Sequence, residues 1–328
     1  MISIPALGAA IVLAGTATSF ADIEYTSLKN QPWSEKTKTL EALSSGLGVS
    51  APLNVTYVEQ NVGGKGPIVF VHGLGSNLKF WRYQIDVFAA RGYHVIAIDL
   101  PGFGKSDKPR DFSYAIDDQA RVLRAFLDAL AIKKPIVIGH SMGGHTGLVY
   151  AINYPKALKA LVLVSPAGFE AFSKKDKAWL KSVFTPDLIQ GLGEPEIRSS
   201  IVNTNFSKWK DEYQWLIDQR LHIKTAPKFE DYALANVKAV HGLLETELVR
   251  KNLGKIRVPT LIAYGHSDLL IPNRVIHPGK TQDVMKFGHA GIKDSVLVGF
   301  DGCGHTLQID CSNEVNSKIE SFLKKRGL

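Results

Sequence analysis

The sequence predicts an α/β fold in which a mostly parallel central sheet is flanked by helices. Three observations carry that reading. Short, predominantly apolar runs recur along the chain: PIVFV (Pro67–Val71), HVIAIDL (His94–Leu100), PIVIG (Pro135–Gly139) and ALVLV (Ala160–Val164). Runs of this kind suit strands buried on both faces. Between them lie apolar residues at helical spacing, as in Val122, Leu123, Phe126, Leu127 and Leu130. Strands alternating with helices in this way imply βαβ units and a parallel sheet. Finally, 328 residues with 45% hydrophobic composition are enough to bury such a sheet.

Taken in order, residues 1–21 carry no charged side chain, and the small-residue apolar run Ala6–Ala17 is followed by Ser19-Phe20-Ala21 before Asp22. That is the pattern of a signal peptide, too short to span a bilayer well. The expectation is export to a periplasmic or extracellular space, with a cytoplasmic protein as the alternative. Residues 22–52 are polar and mixed and read as an extension before the core. Leu53–Gln60 reads as a strand, followed by the turn Gly63-Gly64-Lys65-Gly66 and the strand Pro67–Val71. Helices are expected over Asn77–Arg91, Asp117–Leu130, Met142–Asn153 and Asn313–Lys324, and further strands over Pro259–Tyr264 and Ser295–Phe300. Phe169–Leu253 has no strand of this kind and is aromatic and helical in flavour, with Trp179, Phe184, Phe206, Trp209, Tyr213, Trp215 and Tyr232. It reads as a helical insertion (169–253) within a core formed by residues 53–168 and 254–328, not as a second domain.

Composition excludes several classes. The net charge of +8 is spread along the chain, with short clusters only at Lys174–Lys177 and Lys324–Arg326. A spread surplus gives solubility and weak attraction to an anionic membrane surface. Without a basic stripe interleaved with aromatics, it argues against nucleic-acid binding. No apolar run reaches about 18 residues, which argues against a bundle of membrane spans. Cys303 and Cys311 are the only cysteines, too few for a disulfide scaffold or a four-cysteine zinc site. They could pair in an oxidising compartment, but spacing gives no geometry, and two partly buried free thiols are the reading favoured by a small margin. No His-Glu-x-x-His or similar ligand pair exists, so no metal site is expected.

The chemistry concentrates in four places. Gly139-His140-Ser141-Met142-Gly143 follows a buried strand and opens a helix, the context a G-x-S-x-G nucleophile requires. A serine hydroxyl needs an adjacent general base. Of ten histidines, His305 alone follows the last strand at the carboxyl end of the sheet. His145 and His94 read as packing and core residues, whereas His222, His241, His277 and His289 show no partner by spacing. The base needs an orienting carboxylate, and Asp268 ends the strand PTLIAYG in the order Ser…Asp…His. Attack on a carbonyl needs N–H donors for the oxyanion. Met142, just after Ser141, and Leu74, in His72-Gly73-Leu74-Gly75-Ser76, are the candidates, with Gly73 or Gly75 possible by a shift of register.

Together HGLGSN, DLPGFGKSDKP, GHSMGG, GHSDLLIP and GCGH, in that order from about Leu53 to the C-terminus, resemble the α/β-hydrolase family in its capped, esterase- or lipase-like branch. The resemblance implies Ser141 as nucleophile, Asp268 as acid, His305 as base, and Leu74 with Met142 as oxyanion donors. It also implies a helical cap after the sixth core strand, whose aromatics line an apolar acyl pocket or form the cap's own core. Members that open epoxides or haloalkanes carry Asp where Ser141 stands. Carbon–carbon bond hydrolases usually carry Trp where Thr306 follows His305. The expectation is hydrolysis of a small-molecule carboxylic ester through an acyl-enzyme, which needs no cofactor. A carbon–carbon or amide hydrolase with the same triad is the alternative, followed by a membrane-surface lipase and a non-catalytic binding module. The stretch Asn273–Asp294 is longer than the connection requires and receives no role.

Overall fold

A computed structural model of the protein describes residues 33–41 and 44–328. The signal-peptide reading of residues 1–21 lies outside them. Eight strands form one sheet: β1 (Glu35–Leu40), β2 (Leu53–Gln60), β3 (Lys65–Val71), β4 (Tyr93–Ile98), β5 (Ile136–His140), β6 (Ala160–Val164), β7 (Thr260–Gly265) and β8 (Ser295–Phe300). Their order is β1-β2-β4-β3-β5-β6-β7-β8. β2 pairs antiparallel with both β1 and β4, and every other neighbouring pair is parallel. The expected mostly parallel α/β sheet is thus observed.

The pleat divides each apolar strand between two cores. Val69 and Val71 of β3 face one cluster, while Ile68 and Phe70 face the other. Helices α1 (Arg82–Ala90) and α12 (Ser312–Lys325) cover the second face with Ile85, Phe88, Val315 and Ile319. On the first face lie α2 (Ile116–Ala129) and α3 (Met142–Asn153), through residues such as Val122, Phe126 and Leu148. The helix expected over Asn77–Arg91 is a 3₁₀ turn, Leu78–Trp81, running into α1. Asn77 caps it by accepting the Lys79 N–H at 3.0 Å.

β1 lies within the stretch read as an extension. Its sequence, EKTKTL, has no apolar run because it is an edge strand with most side chains in solvent and only Leu40 buried. Charged side chains of this kind also protect a sheet edge from further pairing.

Between β6 and β7 the chain forms α4 (Lys174–Val183), α5 (Pro186–Gly191), α6 (Glu194–Asn205), α7 (Gln214–Lys224), α8 (Phe229–Leu243) and α9 (Glu247–Asn252). After β7 come α10 (Thr281–Gly291), β8, and α11 (Leu307–Asp310) before α12. Among the described residues no helix is long and apolar enough to cross a membrane.

Candidate active site

Ser141 occupies the single-residue turn between β5 and α3, with φ 51° and ψ −112°. A non-glycine residue held there costs roughly 1–3 kcal/mol. The turn is tight enough to exclude side chains on both flanks. A Cβ on Gly139 would stand 2.3 Å from the Gly143 carbonyl oxygen, and one on Gly143 would stand 2.2 Å from that of Val71. The strained residue is tied down by its own backbone. Its N–H donates to Val164 O at 3.0 Å, and its carbonyl accepts from His145 and Ala167 at 3.0 and 3.1 Å.

Asp268 and His305 meet across 37 residues of sequence: His305 Nδ1 lies 2.9 Å from Asp268 Oδ2. Asp268 is fully buried, and its other oxygen accepts the N–H groups of Leu270 and Ile271 at 2.8 and 3.1 Å. Both carboxylate oxygens therefore have fixed partners. The loop behind them is held in turn, since the Asp268 carbonyl accepts from Arg274 Nη2 at 3.0 Å and from Thr281 Oγ1 at 3.1 Å. This gives the otherwise unassigned Asn273–Asp294 stretch a structural task, which its sequence did not disclose.

His305 is secured by its backbone. His140 donates its Nε2–H to the His305 carbonyl at 3.1 Å, and the N–H of Gly304 donates to Asp310 Oδ2 at 2.8 Å. Burial first, and then the neighbouring His305, hold the His140 imidazole well below its usual pKa, which keeps it neutral. Cys303 and Cys311 form a disulfide around the loop that carries His305, with Cα atoms 6.0 Å apart. This corrects the reading of two free thiols. The turn from β8 into α11 brings the pair within bonding range, and a separation of eight residues does not show that.

The loop after β3 is braced by His72. Its Nδ1–H donates to Gly73 O at 2.7 Å, and its Nε2 accepts the Leu100 N–H at 2.9 Å. One ring nitrogen must donate and the other accept, so only the neutral ring fits. Burial lowers its pKa to about 4. Leu74 follows this brace and lines the cavity described below, and Met142 opens α3. A first-turn N–H such as that of Met142 has no partner within the helix.

His145 is buried, with neither ring nitrogen hydrogen-bonded among the described residues, and burial lowers it to about 4. His94 is also buried and meets Glu59 at 2.8 Å. His277, which had no partner by spacing, lies with Nδ1 2.5 Å from Glu170 Oε1, a contact 107 residues apart in sequence. Burial raises the Glu170 pKa.

The neutral histidines give a stability prediction. In the unfolded chain an imidazole takes its proton near pH 6.5, whereas His72 and His145 do so near pH 4 when folded. The depressed folded values mean that stability is fully present above about pH 6.5 and is lost as the pH falls towards 4. The loss is of order 3 kcal/mol for each residue. Urea unfolding midpoints should therefore drop sharply between pH 7 and pH 4.5, and His145→Gln should flatten that slope. Equal slopes in the two proteins would show that His145 takes no part in the loss.

Ser141, His305 and Leu74 share one cavity of about 450 Å³. Its outer wall comes from the segment between β6 and β7 and is mainly apolar, with Leu180, Phe184, Ile197, Ile201 and Val240. Of the seven aromatic residues singled out in that segment, Phe184 and Phe206 reach the cavity. Tyr213 and Trp215 join Phe206 and Leu216 in a small core of their own, with Trp209 packed against it. Trp179 is exposed. Arg220, Gln219 and Asn236 are the polar residues that this segment's α7 and α8 contribute to the same wall, and no sequence spacing pointed to them. Among the described residues no group of three or more His, Cys, Asp or Glu side chains is arranged to hold a metal ion.

The arrangement can activate a hydroxyl, orient and charge-balance an imidazole, and offer N–H groups to an anion beside a largely apolar space. Known proteins resemble this chain over most of its length. AB hydrolase superfamily protein YisY of Bacillus subtilis (strain 168) is 30% identical over 278 residues, covering 82% of this chain and 96% of its own. A 2-hydroxy-6-oxo-6-phenylhexa-2,4-dienoate hydrolase of Comamonas testosteroni is 30% identical over 295 residues, covering 82% of this chain and 92% of its own. An esterase from Exiguobacterium antarcticum shares the fold with a TM-score of 0.72 at 21% identity, over 88% of this chain and 100% of that one. The model of the alpha/beta hydrolase fold family matches residues 66–311. With the eight-stranded sheet and the strained serine turn already in place, that match settles the family: the chain is a hydrolase and belongs to the α/β-hydrolase fold family.

Proposed function

We propose that the protein hydrolyses carboxylic esters of small apolar acids through Ser141, His305 and Asp268. The observation that carries this reading is the fully buried Asp268 carboxylate, 2.9 Å from His305 Nδ1, in a protein whose strained Ser141 shares a cavity with His305. Ser141 Oγ attacks the acyl carbon while His305 Nε2 takes its proton. The Leu74 and Met142 N–H groups receive the oxyanion, each worth about 3–4 kcal/mol in the transition state. Collapse expels the alcohol, protonated by His305. Water, deprotonated by His305, then cleaves the acyl-enzyme and releases the acid.

A second reading has a specific observation in its favour. The Comamonas testosteroni relative is named as a hydrolase of 2-hydroxy-6-oxo-6-phenylhexa-2,4-dienoate, and another relative as a hydrolase of 2-hydroxy-6-oxononadienedioate and 2-hydroxy-6-oxononatrienedioate. A carbon–carbon bond hydrolase would use the same triad; Thr306, next to His305, stands where such enzymes usually carry Trp. The disulfide between Cys303 and Cys311 supports an oxidising compartment and is in keeping with export.

The test is a p-nitrophenyl ester series from acetyl to palmitoyl, run beside 2-hydroxy-6-oxo-6-phenylhexa-2,4-dienoate. A cavity of this size and lining is expected to give a kcat/KM maximum at acyl chains of about four to eight carbons. A dienoate kcat/KM above that of every ester would replace the ester reading with the carbon–carbon one. A maximum at palmitoyl would indicate a lipase.

A further inference from the structure

The guanidinium of Arg220, on α7, reaches out of the segment between β6 and β7 to the loop that carries Leu74. Its Nη2 donates to the Gly75 carbonyl at 2.6 Å, and its Nη1 donates to Tyr232 Oη. Tyr232, on α8, donates to the same Gly75 oxygen at 3.4 Å and accepts from Asn236 Nδ2 at 3.3 Å. Gly75 itself has φ +64°, and a Cβ there would stand 2.8 Å from Arg220 Nη2. Glycine is thus what lets the guanidinium close on the loop backbone. Arg220 is half-buried in the cavity wall, and among the described residues no carboxylate pairs with it. Its clearest partners are a carbonyl and a hydroxyl.

We propose that Arg220 is a positioning residue: by holding the Gly75 carbonyl together with Tyr232, it fixes the turn that presents the Leu74 N–H to the oxyanion. This rests on the ester-hydrolase reading above and deepens it. The loop is anchored at two points. His72 grips Gly73 from the core side, and Arg220 grips Gly75 from α7. Leu74 sits between them. An oxyanion donor acts only if it is already in place when charge develops. The seating of α7 and α8 on the core therefore sets the rate of the chemical step as well as the shape of the cavity.

The experiment measures kcat and KM for Arg220→Met, Arg220→Lys and Tyr232→Phe with p-nitrophenyl butyrate and with its anionic counterpart, p-nitrophenyl hemisuccinate. The rate at which a fluorophosphonate labels Ser141 is measured beside them, because that reaction uses the same oxyanion donors without an ester. Arg220→Met is expected to lower kcat about 10- to 100-fold on both esters, with KM within about twofold, and to slow labelling in parallel. Arg220→Lys, a point charge without the two-pronged donor geometry, is expected to restore only part of the rate. Tyr232→Phe, which removes one oxygen from the network, should lower kcat severalfold and keeps the test standing should Arg220→Met fail to fold. Unchanged kcat and labelling would overturn the proposal. So would a KM that rises for the hemisuccinate alone, since that identifies Arg220 as a contact for an anionic substrate. A wild-type protein that labels but turns over no ester would overturn the ester reading and leave the labelling rates to decide on Arg220. One that does neither overturns the nucleophile assignment and this proposal with it.

Discussion

Ser141→Ala is expected to lower kcat by about 10⁶-fold while leaving the melting temperature within a few degrees of wild type. The residual rate, some 10³- to 10⁴-fold above that in water, would come from the oxyanion donors and substrate binding. Folding should survive because the turn is held by backbone groups, namely the Ser141 N–H on Val164 and the Ser141 carbonyl under His145 and Ala167. The side chain has no part in them. A second substitution at the same position separates strain from chemistry. Ser141→Gly removes the hydroxyl and also the Cβ that makes φ 51° costly, so it should be inactive yet more stable than Ser141→Ala by roughly 1 kcal/mol. Kinetics on the best ester, with urea melts of all three proteins, checks both parts. Activity retained in either variant would remove Ser141 from the mechanism.

Most of the sheet was legible because its central strands are short, predominantly apolar runs, and β4, β5, β6 and β7 are buried at every position. β1 escaped because an edge strand needs no such run. In the site, Ser141 declared itself through local chemistry, as two flanking glycines at a strand end are dictated by contacts of 2.3 and 2.2 Å within a few residues or one strand away. Asp268 and His305 were indicated by where they follow their strands, since an α/β sheet gathers its functional groups at the strands' carboxyl ends. What stayed hidden depends on contacts between distant segments. The Glu170–His277 pair joins loops that follow different strands, and the grip of Arg220 on Gly75 spans 145 residues. Neither leaves any periodicity or spacing in the chain. The disulfide is a related case, in which the residues were visible and only the turn that pairs them was not.

Asp268→Asn is the change with the next largest expected effect, and the geometry shows why a nearly isosteric side chain should fail. The oxygen that accepts the N–H groups of Leu270 and Ile271 must remain an oxygen, since an amide nitrogen there would set donor against donor twice. The substituted amide is therefore oriented with its NH₂ group towards His305 Nδ1, where Asp268 Oδ2 now lies at 2.9 Å. An amide that donates to Nδ1 selects the tautomer with its proton on Nε2. That ring cannot accept the Ser141 proton, and the carboxylate charge that would stabilise an imidazolium is gone. A loss of about 10⁴-fold in kcat is expected, with KM little changed because the side chain does not touch the acyl pocket. Asp268→Ala should be similarly inactive for a different reason. It leaves the His305 Nδ1–H and the N–H groups of Leu270 and Ile271 without their acceptor, and the buried Ile271 N–H alone costs roughly 1–3 kcal/mol in stability. The two variants should thus match in rate and differ in urea midpoint, with Asp268→Asn the more stable. Nitrogen-15 NMR of the His305 ring in Asp268→Asn would show the Nε2–H tautomer directly. A ring still protonated at Nδ1 would mean that the amide had turned over, and that the two backbone N–H groups do not hold the side chain as the geometry requires.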